Sequence, residues 1–592
     1  MLEVREVREV REVPLSKTQP APAAPEVAGV GTASGAELPG ADSTAAVLER
    51  GEPARMGSET GVAESGVGES GAAERGLPER DVANRGAELA ERGVAQPGAP
   101  VAQRGAAETG APVAQRGAAE PGASAAVRAG DDSIGVGLQG GTETAVHGAS
   151  AGDVPSGDAA NPNTPLLYVA AREVMVYSRP NFGSRKLGYL RAGARVTRSA
   201  QAQGFERCTK GFYRIAPEGY VCASDSARLE GGDAVSELAD VRPDRAAPMP
   251  YVYARSKQPP PPLYVKLPSQ AEQARIEPER AQGGFKLRPA LEALPPSMLP
   301  PLLAAGHSLP TPFGHAYDRS LVSSGRALAD SAFAITRVFE QGKRRFGLTT
   351  DLLSVPLDRL EPVVASRFHG VALEERGLPL AFVMQRGAYL YSADSRPTRK
   401  LDFREAVFLS GKTQRREGAR WLETRDGEWL RDERLVRVDA PTSLPAAARN
   451  GQSFIQVSIS KQVLLAFQGE KPVYATLVST GVDGLGDPET TRSTVRGQFL
   501  IHTKHVSVTM SSDEAGAEFE LKDIPYVQYF KDNYAIHAAF WHDGFGTPRS
   551  HGCINLAPLD ARWLFHWSEP PVPALWHGAF SLRSGTLIEI VP

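Results

Sequence analysis

Near the end of the 592-residue chain stands Arg549-Ser550-His551-Gly552-Cys553-Ile554-Asn555, which holds one of only three cysteines. A thiol, an imidazole, a hydroxyl and an amide are gathered around one glycine. A second imidazole, His537, follows Ala535-Ile536 at an expected strand end. Four roles are open to Cys553. A structural thiol would usually sit mid-strand or mid-helix among aliphatic residues, whereas this one sits in a polar turn. The other two cysteines, Cys208 and Cys222, are too remote in the chain to make a disulfide with it an obvious reading. His537, His542, His551 and Cys553 have the ligand types of a zinc set. A nucleophile needs a base, a group that orients the base, and an anion hole. His537 and His551 supply imidazoles, and the N–H groups of Gly552 and Cys553 supply donors for a developing oxyanion.

The surrounding elements set where these groups point. Asn555 to Phe565 reads as a short helix with Pro558 in its first turn, where proline is tolerated. Cys553 is therefore expected just before a helix N-terminus, whose dipole and free N–H groups favour a thiolate. Upstream, Ile455, Val457 and Ile459 alternate with Gln456 and Ser458, the pattern of a half-buried strand. Val463-Leu-Leu-Ala-Phe, a polar turn, and Val473-Tyr-Ala-Thr-Leu-Val-Ser predict a hairpin. Gln498 to Thr503 and Val506 to Met510 are expected to continue the same sheet.

His537 followed by Ser550-His551-Gly552-Cys553-Ile554-Asn555 resembles the signature of the L,D-transpeptidase (YkuD) catalytic domain. The stretches Ile455 to Phe467 and Pro472 to Gly481 resemble its opening hairpin, so the resemblance runs from Gln452 to Pro592. It implies a mostly β, sandwich-like catalytic domain with a capping loop, acting on peptidoglycan stem peptides. Cys553 would attack the carbonyl between a diamino acid and D-alanine, forming a thioester. His537 would move the proton, the Ala538 carbonyl would orient its ring, and His551, Gly552 and Cys553 would shape the oxyanion site. Asn555, with Ser550 in the motif, would brace the turn. Tyr526, Tyr529 and Phe530 would contribute to the substrate cleft, and His542 reads as a loop residue. A second stem peptide, an envelope protein or water would resolve the thioester, with no cofactor and no metal. Two departures stand out: Ala538 where the family often has glycine, and Thr494-Val495-Arg496-Gly497 lacking the family's proline.

The rest of the chain reads as follows. Residues 1–163 are dominated by Gly, Ala, Glu, Arg, Pro, Val and Ser, with a reiterated Arg-Glu-Val triplet from Arg5. Such a composition cannot bury enough apolar surface to offset chain entropy, so disorder is expected. Residues 164–232 show closely spaced short strands. Val174 to Ser184 followed by Gly188-Tyr-Leu-Arg-Ala-Gly193 resembles a bacterial SH3-like domain. Cys208 and Cys222 lie within it, either as a disulfide, if the compartment is oxidising, or as two buried thiols. Residues 233–377 form a Pro-rich linker and a mixed segment, with helical spacing expected over Leu321 to Phe339. Residues 378–440 repeat the SH3-like pulse more weakly.

A net charge of −3 gives no basic bias toward nucleic acid. No apolar run approaches the length of a membrane span. Met1-Leu-Glu-Val-Arg-Glu is not a secretory signal, although a peptidoglycan substrate implies the periplasm or cell envelope.

Overall fold

The computed structural model describes residues 164–232, 238–300, 303, 321–329, 331–512 and 519–592. The disorder expected over 1–163 lies outside the described residues. What is described is mostly β.

The C-terminal part is built from β1 (Ser453–Ser458), β2 (Val463–Gln468), β3 (Lys471–Leu477), β4 (Gly497–Leu500), β5 (Thr503–Ser512), β6 (Phe519–Lys531), β7 (Tyr534–Ala538), β8 (Ile554–Leu556), α1 (Pro558–Trp567), β9 (Gly578–Phe580) and β10 (Leu587–Val591). β1, β2 and β3 form the expected antiparallel meander. The chain's last strand, β10, lies parallel to β1 and carries β4 on its other edge. A short strand, Val371–Ala372, pairs with β3 at the opposite edge of this layer.

The second layer holds β5, β6 and β7, antiparallel in turn. β7 then runs parallel to β8, with His537 in register with Asn555. Ile455, Val457, Leu464, Val506, Ile536, Ile554 and Ile588 share one buried cluster. β4 and β5 were expected in one sheet. They lie in different layers because the chain crosses at Ile501-His502, where Ile501 is fully buried.

α1 starts at Pro558 and packs Leu564 and Phe565 into this core. Its C-terminal carbonyls are held by a buried lysine. Lys504 Nζ donates to the carbonyls of Phe565 and Ser568, both at 2.6 Å, and to Ser568 Oγ at 3.0 Å. Lys504→Ala would take the donor from the Phe565 and Ser568 carbonyls and open a cavity, a loss of about 2–4 kcal/mol read by urea denaturation.

The N-terminal strands join the same architecture. Strand Lys186–Leu190 pairs with Val174–Tyr177 on one side and with β9 on the other. Gly188 makes this approach feasible, since a Cβ there would meet the Gly578 carbonyl at 2.2 Å. Cys208 and Cys222 are bonded to each other, with Cα atoms 5.9 Å apart.

Where helical spacing was expected, Ser323–Arg326 and Ala332–Gln341 are strands. Ala332 to Ile335 are all buried, so both faces are covered and the alternation that marks a strand is missing. Strands between Leu380 and Val438 make a separate seven-stranded sheet around Leu390, Leu401, Leu409, Leu422 and Leu430. Among the described residues no helix is long and apolar enough to cross a membrane.

Candidate active site

Residues 549–555 fold into a tight turn that leads into β8. Ser550 Oγ donates to the Cys553 carbonyl and accepts the Gly552 N–H at 3.1 Å. Thr494 Oγ1 donates to the Gly552 carbonyl at 2.8 Å and accepts the Gly481 N–H at 2.9 Å. Val482 N–H donates to the Ser550 carbonyl, and Ser479 and Asn555 exchange backbone hydrogen bonds. The turn is thereby fixed to the segment after β3. Gly552 has φ +130°, and a Cβ on it would come within 2.7 Å of the Tyr534 ring.

Cys553 is 4% exposed, with Sγ 3.8 Å from the Asn533 carbonyl. Burial pushes its thiol up to about 11, opposed by the backbone N–H of Ala535. This reverses the thiolate expected from a helix start. The three-residue strand β8 and Ala557 separate Cys553 from Pro558, so the helix N-terminus does not reach the sulfur.

His537 comes from the neighbouring strand β7 and is also buried. Its Nδ1 lies 3.2 Å from the Ala538 carbonyl. Burial lowers its pKa to about 4, with that carbonyl opposing. The ring is therefore neutral at pH 7. With Nδ1–H donating to Ala538, the Nε2 lone pair is left to accept a proton. The Trp541 ring sits 5.7 Å away. His551 is buried in the turn itself.

The structure also brings in groups the sequence left aside. The Asn555 side-chain Nδ2 lies 3.0 Å from His542 Nε2, and the Gly544 nitrogen lies 3.2 Å from Nδ1 of the same ring. Burial depresses the His542 pKa to about 3, so the ring is neutral. The Asn555 Nδ2 is a donor only, so it donates to the lone pair of His542 Nε2. Tyr534 lies over Gly552, and Thr494 ties two strands to the turn; neither position carries a local signal of that role.

Of the three expected cleft aromatics, Tyr529 is half-buried and Phe530 is buried against Phe499 and Tyr534. Tyr526 is a correction. It is fully buried on Phe565, and its hydroxyl donates to the backbone carbonyls of Ala247 and Arg245, so it belongs to the core. Among the described residues, no group of three or more His, Cys, Asp or Glu side chains is placed to hold a metal ion.

A buried thiol, a neutral imidazole and a braced turn make a site suited to acyl transfer through sulfur. Residues 452–590 match the YkuD family, the L,D-transpeptidase catalytic domain, and that segment is a domain of this type. Solved structures similar to the chain include an L,D-transpeptidase from Xylanimonas cellulosilytica, 21% identical over 26% of this chain and 64% of its own, with a TM-score of 0.18. An Enterococcus faecium L,D-transpeptidase is 20% identical over 23% of this chain and 49% of its own, with a TM-score of 0.18. One from Mycobacterium smegmatis is 19% identical over 31% of this chain and 78% of its own, with a TM-score of 0.19. The chain thus spans less than two thirds of the length of the first two. No curated protein matches the chain.

Proposed function

We propose that this protein is a peptidoglycan L,D-transpeptidase working through a Cys553 thioester. The observation that carries the reading is Cys553 in its braced turn at the start of β8, beside His537 on the paired strand β7, within a segment that matches the family. His537 Nε2 takes the thiol proton as Sγ adds to the carbonyl between the third and fourth residues of a tetrapeptide stem. The C–N bond breaks, and the imidazolium returns the proton to the departing D-alanine amine. An acceptor amine then attacks the thioester and restores the thiol.

The Gly552 N–H is engaged by Ser550 Oγ. Oxyanion stabilisation therefore falls to the Cys553 N–H and His551, while Ser550, Gly552 and Asn555 hold the turn. Ala538 orients His537, Tyr529 and Tyr534 lie near enough to Cys553 to feel its charge, and Phe530 packs behind Tyr534. Segments 164–232 and 378–440 are read as SH3-like modules of the same envelope enzyme, with stem peptides as its partners.

The test is the full chain with a disaccharide-tetrapeptide, products read by mass spectrometry beside Cys553→Ala. Dimers lacking one D-alanine, absent in the control, support the transpeptidase. Tripeptide alone gives the hydrolytic reading, in which water is the acceptor. No product in either sample overturns both. Gly552→Ala should lower kcat/KM by about 10²-fold and cost about 1–3 kcal/mol of stability, since an alanine at φ +130° is strained and the turn must yield to clear Tyr534.

A further inference from the structure

We infer that the separate β sheet between Leu380 and Val438 is a clamp on the catalytic turn, and that its Arg404 is a positioning residue for the reaction proposed above. Arg404 Nη2 donates to both carboxylate oxygens of Asp543, at 2.8 and 2.7 Å, and Nη1 to the Asp543 carbonyl at 3.3 Å. Its guanidinium also covers the rings of Phe368 and Phe403, at 4.8 and 4.9 Å. The side chain is only 8% exposed. Asp543 is held from a second side by Ser366 Oγ at 2.5 Å.

The residue beside Asp543 is His542, whose Nε2 accepts from the Asn555 side chain. The ion pair thus acts on the loop that runs from His537 to the cysteine turn next to His542, beside the loop's other ties, Gly546 N–H to the Val478 carbonyl and Ser479 Oγ to the Gly544 carbonyl. An aromatic chain runs alongside it: Phe382 of the clamp meets Phe368, Phe368 stacks on Phe545, and Phe545 lies 4.9 Å from His542. Phe382, Phe545 and Cys553 belong to one buried cluster. Gly546 is in contact as well, since a Cβ there would come within 2.5 Å of the Met384 methyl.

Two features mark Arg404 as chosen for its head group rather than its backbone. It sits at φ +67°, a region that costs a non-glycine residue free energy. A pair in which one nitrogen meets both oxygens of a largely exposed carboxylate contributes little to overall stability, so its value lies in where it holds the loop. With the pair intact, His542 and Asn555 keep the Cys553 turn in register with His537. Without it, the loop from Phe540 to Gly546 keeps its ties at Gly544 and Gly546 but loses the one next to His542.

Arg404→Gly removes the guanidinium and relieves the left-handed strain, so it leaves the clamp folded. In the full chain it should cut kcat about 10-fold with KM changed less than about 2-fold, because a displaced turn misaligns the nucleophile without altering distant substrate contacts. Iodoacetamide labelling of Cys553 should quicken several-fold, and amide exchange should rise at residues 539–549 but not in the clamp's own core. Arg404→Lys should recover part of each effect, since lysine keeps the charge but loses the fork. Asp543→Asn should match Arg404→Gly, and the double variant should be no worse than either. Wild-type labelling and exchange in Arg404→Gly would overturn the inference. If the wild type gives no peptidoglycan product, the functional reading fails, while labelling and exchange still decide the clamp.

Discussion

Cys553→Ala ends product formation, and His537→Gln, with the thiol in place, lowers kcat by about 10²–10⁴-fold, the usual worth of a positioned general base. The size follows from burial. With its thiol pushed up to about 11, Cys553 is thiolate in roughly one molecule in 10⁴ at pH 7. On the function proposed above, the nucleophile is then made by proton transfer during attack, with the neutral His537 ring as the base. The sign of the pH dependence is fixed by the same two groups. Below about 4 His537 gains a proton and ceases to be a base, so kcat/KM falls as pH drops through that value. Above it the rate is level across neutrality.

Two measurements separate this from a preformed thiolate–imidazolium pair. Alkylation of Cys553 should keep rising with pH toward about 11, whereas an ion pair would give a plateau near neutrality. In His537→Gln, turnover should climb about tenfold per pH unit through the neutral range, as hydroxide replaces the missing base. An alkylation midpoint near or below pH 7 would contradict the assignment of His537 as base to a protonated thiol.

The family of residues 452–590 was the most legible part of the chain, because residues 549–555 compress a thiol and the groups that brace its turn into one contiguous run. The hairpin β2–β3 was legible for a similar reason: alternation and a polar turn are local. What was hidden depends on contacts between remote segments. His542 gives no local sign that it will meet Asn555, because that contact needs β7 and β8 side by side. The helix-start reading of Cys553 failed on Ile554-Asn555-Leu556, three residues too short to announce a strand, which the sheet nonetheless recruits. Tyr526 reads like its neighbours Tyr529 and Phe530; only the residues at 245–247 that accept its hydroxyl show that it is core. Gly188 and Arg191 lie in what looks like a self-contained small barrel, with nothing nearby to reveal that both face β9 and the strands beside it.

Arg191→Ala should destabilise the whole folded unit, by about 3–5 kcal/mol, although Arg191 lies far from Cys553 in sequence. Its guanidinium is 4% exposed and forms a two-pronged pair with Asp523, at 2.5 and 3.0 Å. Asp523 also accepts from Ser507 Oγ at 2.9 Å, and His577 Nε2 lies 3.0 Å from Arg191 Nη1. Burial works against a charge on Asp523, yet the Arg191 charge and its hydrogen bonds hold the carboxyl well below the usual range. Removing the arginine strands that charge among Tyr253, Ser507 and His577, and water cannot reach it. Replacing the pair together, as Arg191→Leu with Asp523→Asn, should recover much of the loss, since the desolvation penalty of both ions disappears with them. Chemical denaturation followed at Trp576, which packs on Gly188 across the same junction, reads the difference. A single cooperative transition shifted by Arg191→Ala would make residues 164–232 part of the catalytic fold. Two transitions, with only the smaller one shifted, would make them an independent module resting against it. The strand pairing of Gly188 with Ala579 and of Tyr189 with Gly578 favours the first outcome, because a module that can leave would have to strip those hydrogen bonds from β9.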